Sequence, residues 1–257
     1  MRSTEARKLA RVILAAATQC GLTFRVFGGA GVMLLYGNHP TSHLFREDTG
    51  DIDLVGRYDQ QPDWVEFFKK LSFDEHSRGG EAQWEFRGVF RGRSERVHVY
   101  SDPMRFSEVV PGPYFTAEWP ETIPPTALLL SKLLVQREYD WGEQFQDIAS
   151  AMFALGGAEP AHQLDQRYIV RSLFSGFAGW RRWLLVERSL SRFEEGLDRA
   201  GTEEIENQVR SGLVHLRRAL TPAPADWPWR FARRLHASNI PLMPVHPVGG
   251  VEPLADS

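Results

Sequence analysis

Apolar residues follow two different periods along this chain, and the switch between them divides it. Leu9, Val12, Ile13 and Ala16 recur at helical spacing, which predicts an amphipathic helix over about residues 4–20, stopped by Gly21. Phe24-Arg25-Val26-Phe27 then reads as a short strand. Gly28-Gly29 is expected to form a tight turn leading into a helix that ends near Tyr36. Residues 37–50 are polar and irregular. In Asp51-Ile52-Asp53-Leu54-Val55 the alternation sends Ile52 and Leu54 into a core and puts Asp51 and Asp53 together on the opposite face. Pro62, followed by Trp64, Phe67, Phe68 and Leu71 on one face, predicts a helix over 63–71.

A strand-rich stretch follows. Trp84-Glu85-Phe86 and Val89-Phe90 flank Gly88, and Arg96-Val97-His98-Val99-Tyr100 alternates as a half-buried strand does. Pro111, Pro113, Pro120, Pro124 and Pro125 mark a loop, after which the period becomes helical. Leu128-Leu129-Leu130, Leu133 and Leu134 predict a strongly apolar helix, with further helices over 145–155, 168–177, 180–197 and 203–220. Beyond Thr221 prolines recur, so the tail is expected to wrap the surface or lack order, with Trp227 and Trp229 as docking points. The reading is an α+β chain: a small mixed β-sheet domain with flanking helices over 1–122, an all-helical domain over 123–220, and a Pro-rich tail over 221–257.

Composition narrows the setting. A content of 42% hydrophobic and 25% charged residues suits a soluble globular protein. A formal net charge of −3 argues against a uniformly basic nucleic-acid binder but leaves room for local basic stripes. One such stripe, Arg87, Arg91, Arg93 and Arg96 around Phe86 and Phe90, reads first as a solvated hairpin and second as an RNA contact. The single cysteine, Cys20, excludes an internal disulfide and suits a reducing cytoplasm. No apolar run reaches bilayer-spanning length, and the run at 12–17 after the basic N-terminus is too short for a signal peptide. The expected location is cytoplasmic, with no membrane partner.

Two like charges a few ångströms apart are costly unless a cation lies between them, so Asp51 and Asp53 form a candidate divalent-metal site. A strand that runs through glycines into a helix start offers backbone N–H groups to a phosphate, which makes Gly28 and Gly29 candidate nucleotide-binding residues. The plainer readings are a solvent-facing strand edge and simple turn chemistry. Taken together, the two features point to phosphoryl or nucleotidyl transfer.

The order of these elements resembles the nucleotidyltransferase superfamily of DNA-polymerase-beta type, and within it the AbiEii-like branch. The resemblance rests on Gly28-Gly29; on Arg46 and Thr49 ahead of Asp51-Ile52-Asp53; on Arg96-Val97-His98-Val99-Tyr100-Ser101-Asp102 as the third active-site strand; and on Thr122-Ile123-Pro124 with the helix bearing Lys132. Gln146-Asp147-Ile148 resembles the acidic position of the following helix. It covers about residues 24–150.

What the resemblance implies is in-line transfer of a nucleoside monophosphate from a nucleoside triphosphate. Mg²⁺ or Mn²⁺ would be held by Asp51 and Asp53, and the triphosphate by Gly28, Gly29, Thr49 and Lys132. Asp147 would orient Lys132 or the acceptor. The implied acceptor is tRNA or other RNA, a protein hydroxyl or a small molecule, and a toxin-like role would bring an antitoxin partner. Two positions depart from the pattern. Gly29 and Ala30 replace a hydroxyl-bearing residue, and His98 stands where an aspartate is usual. His98 is then a general base in a variant site, or Asp102 stands in for the missing carboxylate, or the chain is a degenerate, non-catalytic nucleotide-binding or interaction protein of the same fold.

Overall fold

The computed structural model describes residues 3–37, 42–79, 83–104, 110, 112–134, 141–157, 164–197, 203–221 and 226–237. Its elements in chain order begin α1 (Ser3–Gln19), β1 (Phe24–Phe27), α2 (Gly28–Tyr36), β2 (Ile52–Gly56) and α3 (Gln61–Lys70). Then come β3 (Phe73–Arg78), β4 (Gln83–Phe90), β5 (Arg93–Ser101), α4 (Pro125–Leu134) and α5 (Trp141–Gly156). The C-terminal helices are α6 (Gln166–Leu173), α7 (Gly176–Leu197), α8 (Glu203–Ala219) and α9 (Trp227–Ala237). The strands form one sheet of order β1-β2-β5-β4-β3. Among the five named strands only β2 and β5 pair in parallel, so the sheet is mixed, as the α+β reading expected.

The two faces of the sheet belong to different cores. On one, Phe24, Val26, Ile52, Leu54, Trp84, Phe86, Val97 and Val99 pack with Leu9 and Ile13 of α1 and Trp64, Phe67 and Phe68 of α3. On the other, Phe27, Val55 and Tyr100 join Leu128, Leu133, Ile148, Met152, Val186 and Leu190 from the C-terminal helices. That second face changes character along its length. Two residues before Val55 and Tyr100 stand Asp53 and His98, and there the face is polar.

The free edge of β1 is covered by the chain itself. Val26 N–H donates to Glu121 O at 2.9 Å and Ile123 N–H to Val26 O at 3.1 Å, with Thr122 bridged in parallel to Val26. This pairing delivers the chain into α4, which carries Lys132. Further on, α5 and α8 approach until backbones touch. A Cβ on Gly212 would overlap the Met152 carbonyl oxygen, and one on Gly156 would overlap that of Gln208. Only glycine permits an approach so close.

Several expectations need correction. Gly28-Gly29 is not a separate turn, because Gly28, at φ 63°, opens α2 directly. The strand β3 shows no alternation in the sequence, since it buries only Phe73; it lies at the sheet edge and is bulged between Glu75 and Ser77. β4 runs unbroken through Gly88, where a Cβ would lie 2.5 Å from Ser72 O. The helix expected over 168–177 ends at Leu173, and a new one starts at Gly176, also at positive φ. Within the expected tail, Trp227–Ala237 forms the helix α9, and Trp229 is a docking point as expected. Trp229 is buried there against Phe174 and Trp180, and its indole N–H donates to Leu173 O at 2.8 Å. Residues 238–257 lie outside the described residues.

Candidate active site

Strand register assembles the polar patch. Asp53 on β2 is the direct partner of His98 on β5, and His98 is the direct partner of Glu85 on β4. Asp51 lies just before β2 and, two residues from Asp53, shares its face. His98 Nδ1 is 3.4 Å from Asp51 Oδ2 and 3.4 Å from Asp53 Oδ1, while Nε2 is 3.9 Å from Glu85 Oε2. One ligand atom from each of Asp51, Asp53 and His98 falls within 4.8 Å of the others. All three side chains are partly buried.

The helix start lies directly against this group. A Cβ on Gly28 would overlap Asp53 Oδ2, so the missing side chain is the space the carboxylate occupies. A Cβ on Gly29 would lie 2.6 Å from Arg46 Nη1 and 3.0 Å from Thr49 Oγ1. Phe27, the N-cap residue of α2, offers no side-chain cap to the first turn. The N–H groups of such a turn point out of the helix end and favour an anion there. Thr49 Oγ1 donates to Asp51 O at 3.2 Å and so holds the loop in front of β2.

Arg46 connects this patch to the C-terminal helices. Its guanidinium is buried and reaches Asp147 Oδ2 at 3.3 Å, Glu143 Oε2 at 2.7 Å and Asp48 O at 2.5 Å. Lys132 Nζ is 2.6 Å from the same Asp147 oxygen. Asp147 is 1% exposed, and two cations meet one of its oxygens while the other, Oδ1, has no hydrogen-bond partner among the described residues. A carboxylate buried this deeply needs such company. A continuous line of contacts therefore runs from Asp51, Asp53 and His98 through Gly28, Gly29 and Thr49 to Arg46, Asp147 and Lys132. Asp102 is not on it. It lies beyond the far end of β5, and its Oδ1 accepts the Tyr58 N–H at 2.7 Å, so it does not replace a third carboxylate.

The charges push protons toward the site. Burial raises the Asp51 pKa, and the like charge of Asp53 raises it further; His98, Arg96 and Arg46 pull against this without cancelling it. Burial alone would lower the His98 pKa, but the hydrogen bond and charge of Asp53, with Asp51 and Glu85, raise it overall. Glu85 is also opposed by burial, yet its bond to Arg87 leaves its pKa lowered.

The His98 shift sets a sign for stability. A group whose folded pKa is raised adds stability below its unfolded value, and that stability is lost as pH rises through the folded value. For His98, ordinarily at 6.5, chelator-treated protein is expected to melt progressively lower as pH rises above that point. His98→Ala should flatten that stretch of the curve of Tm against pH, and an unchanged slope would remove His98 as its source.

Two nearby residues, Glu85 and Glu143, escaped the sequence reading, and a third, Arg96, was given no role at the site. Glu85 alternates with Trp84 and Phe86 and so faces the polar side, but only the β4–β5 register puts it opposite His98. Arg96, read in the sequence both as part of a basic hairpin and at the head of the third active-site strand, acts on Asp51, and its Nη2 would be 3.2 Å from a Cβ on Gly50. Glu143 is one turn of α5 before Asp147, a helical spacing that could have flagged it.

The site and fold together define a class: a mixed-sheet α+β chain with an acidic–imidazole cluster at a glycine-opened helix. No protein-family model matches the sequence, and no curated protein matches it either. Solved structures do show likenesses. An antigenic nucleotidyltransferase-like protein from Paracoccidioides brasiliensis aligns over 82% of this chain and 94% of its own, at 14% identity and a TM-score of 0.48. A nucleotidyltransferase candidate from H. pylori aligns over 91% and 97%, at 12% identity and TM-score 0.46. The antibiotic-resistance factor ANT(2'')-Ia aligns over 93% and 99%, at 13% identity and TM-score 0.35.

Proposed function

We propose that this chain is a metal-dependent nucleotidyltransferase that moves a nucleoside monophosphate from a nucleoside triphosphate to an acceptor. The observation that carries the reading is the contact between Gly28 and Asp53: a helix start suited to phosphate abuts a carboxylate pair suited to a cation. Two carboxylates and an imidazole nitrogen within 4.8 Å fit a divalent ion. When bound, a divalent ion supplies charge neutralisation at the attacking and leaving oxygens.

The chain's own groups do the rest. The first-turn N–H groups at Gly28 and Gly29 bind triphosphate oxygens, and the absence of side chains there makes room for Asp53, Arg46 and Thr49 against the helix start. Thr49 fixes the loop that presents Asp51. Lys132, held by Asp147, supplies positive charge where phosphate charge builds up. Arg46 ties α5 to the loop, so the lysine side and the carboxylate side keep their spacing.

The motif order supports an AbiEii-like relationship. Through it comes the further reading of a cytoplasmic, toxin-like enzyme, with RNA such as tRNA, a protein hydroxyl or a small molecule as acceptor and an antitoxin as partner. Among the described residues no helix is long and apolar enough to cross a membrane. The deciding experiment incubates the protein with each labelled nucleoside triphosphate, Mg²⁺ or Mn²⁺, and total cellular RNA and protein. Label is expected to transfer to one acceptor class with pyrophosphate released. If no nucleotide and no metal gives transfer, the non-catalytic reading replaces this one.

A further inference from the structure

We infer that the cation site at Asp51 and Asp53 selects a nitrogen-accepting first-row transition ion over Mg²⁺, and that Glu85 is the positioning residue that aims His98 at it. The inference rests on the reading of these residues as one cation site, but it concerns which ion is held and does not depend on transfer taking place.

Geometry comes first. His98 Nδ1 is equidistant, at 3.4 Å, from one oxygen of each aspartate. Two donors about 2.1 Å from a shared ion lie about 3.0 Å apart at octahedral angles and about 3.4 Å apart at tetrahedral ones. Both separations suit a ligand position for the ring nitrogen. Strand pairing leaves it little freedom, because His98 is bonded on one side to the strand of Asp53 and on the other to the strand of Glu85.

Chemistry comes second. Mg²⁺ demands oxygen donors in a near-ideal octahedron and gives up water reluctantly. Imidazole is a poor donor for it and a good one for the later first-row ions Fe, Ni, Cu and Zn. With an imidazole as one of three protein donors, the set is poorly matched to Mg²⁺.

The third element is what stands behind the ring. A ligating histidine commonly gives its second N–H to a carboxylate, which fixes the tautomer and the ring plane. Here Nε2 faces Glu85 Oε2 at 3.9 Å, so a closure of about 1 Å makes a hydrogen bond. Glu85 is itself held, with Arg87 Nε donating to Oε1 at 2.7 Å and Ser77 Oγ to Oε2 at 3.4 Å. A proton kept on Nε2 leaves the Nδ1 lone pair directed at the aspartates.

The test uses metal binding alone, without nucleotide. Stripped full-length protein is titrated with Mn²⁺, followed by the paramagnetic resonance of the free ion, with Mg²⁺ as competitor. Mn²⁺ is the weakest binder of its series and the one nearest Mg²⁺ in its taste for oxygen, so the claim is read from how far the ratio falls when His98 is replaced. Mn²⁺ is expected to bind at least about ten-fold tighter than Mg²⁺. His98→Asp, which restores an all-oxygen set, should cut that ratio about ten-fold. Glu85→Gln should weaken Mn²⁺ about ten-fold while leaving Mg²⁺ unchanged, whereas structural damage would weaken both.

Equal affinities in the unsubstituted protein, or no binding of either ion, overturn the inference whether or not the variants fold. An unchanged ratio in His98→Asp also overturns it, and parallel losses in Glu85→Gln overturn the part assigned to Glu85. Mn²⁺ preference without label transfer would uphold this inference and retire the nucleotidyltransferase reading. Transfer with equal metal affinities would do the reverse.

Discussion

Asp53→Asn is expected to lower nucleotidyl transfer on the order of 10³-fold while the protein remains folded. Asparagine keeps nearly the volume of aspartate, so the space beside Gly28 stays filled and the backbone bonds of β2 to β1 and β5 are untouched. What goes is one unit of negative charge and one anionic donor to a cation. His98 loses the partner that does most to raise its pKa, so its proton should also come off at lower pH. Initial rates of label transfer, read beside a circular-dichroism melt, separate the two effects. A folded Asp53→Asn protein retaining more than about a tenth of the wild-type rate would rule out the role assigned to Asp53.

The second large effect lies far from that carboxylate. Gly212→Ala is expected to cost about 3 kcal/mol of stability, because the new Cβ would overlap the Met152 carbonyl oxygen and lie 2.7 Å from its carbon. Backbone cannot rotate away as a side chain can, so α5 and α8 must separate along the whole crossing. Gly156→Ala meets the Gln208 carbonyl in the same way. Gly142→Ala is the control: it is also in α5, but its Cβ would have nothing within 4 Å, and alanine there should add up to about 1 kcal/mol. Urea midpoints for the three variants check the ordering. Should Gly212→Ala match the Gly142→Ala control, the two helices do not touch as described. Because α5 carries Glu143 and Asp147, a loss at Gly212 is expected to reduce transfer as well, through Lys132.

Much of this fold can be read from local periodicity, and the parts that cannot share a cause. Asp51 and Asp53 stand out because Ile52 and Leu54 between them are plainly apolar. Lys132 stands out in a leucine-rich helix. Glu85 does not, since its place opposite His98 depends on how β4 and β5 are paired, and that register comes from contacts distant in sequence. Strand β3 is invisible for a related reason: it buries one residue, and its order comes from β4's backbone, not from its own side chains. In α9, Trp229 finds its pocket between Phe174 and Trp180 on other helices, and a run of prolines hides the helical pattern. The break before Gly176 was marked by the glycine itself, whose positive φ only the backbone reveals.

The strap formed by Glu121, Thr122 and Ile123 along β1 bears on how copies of this protein behave at high concentration. A sheet with bare rims invites end-to-end joining between molecules. Here one rim is already taken by the chain's own return, and the other, β3, is kinked and presents Asp74, Glu75, His76 and Arg78 to water. Molecule-to-molecule continuation of the sheet is thereby discouraged on both sides.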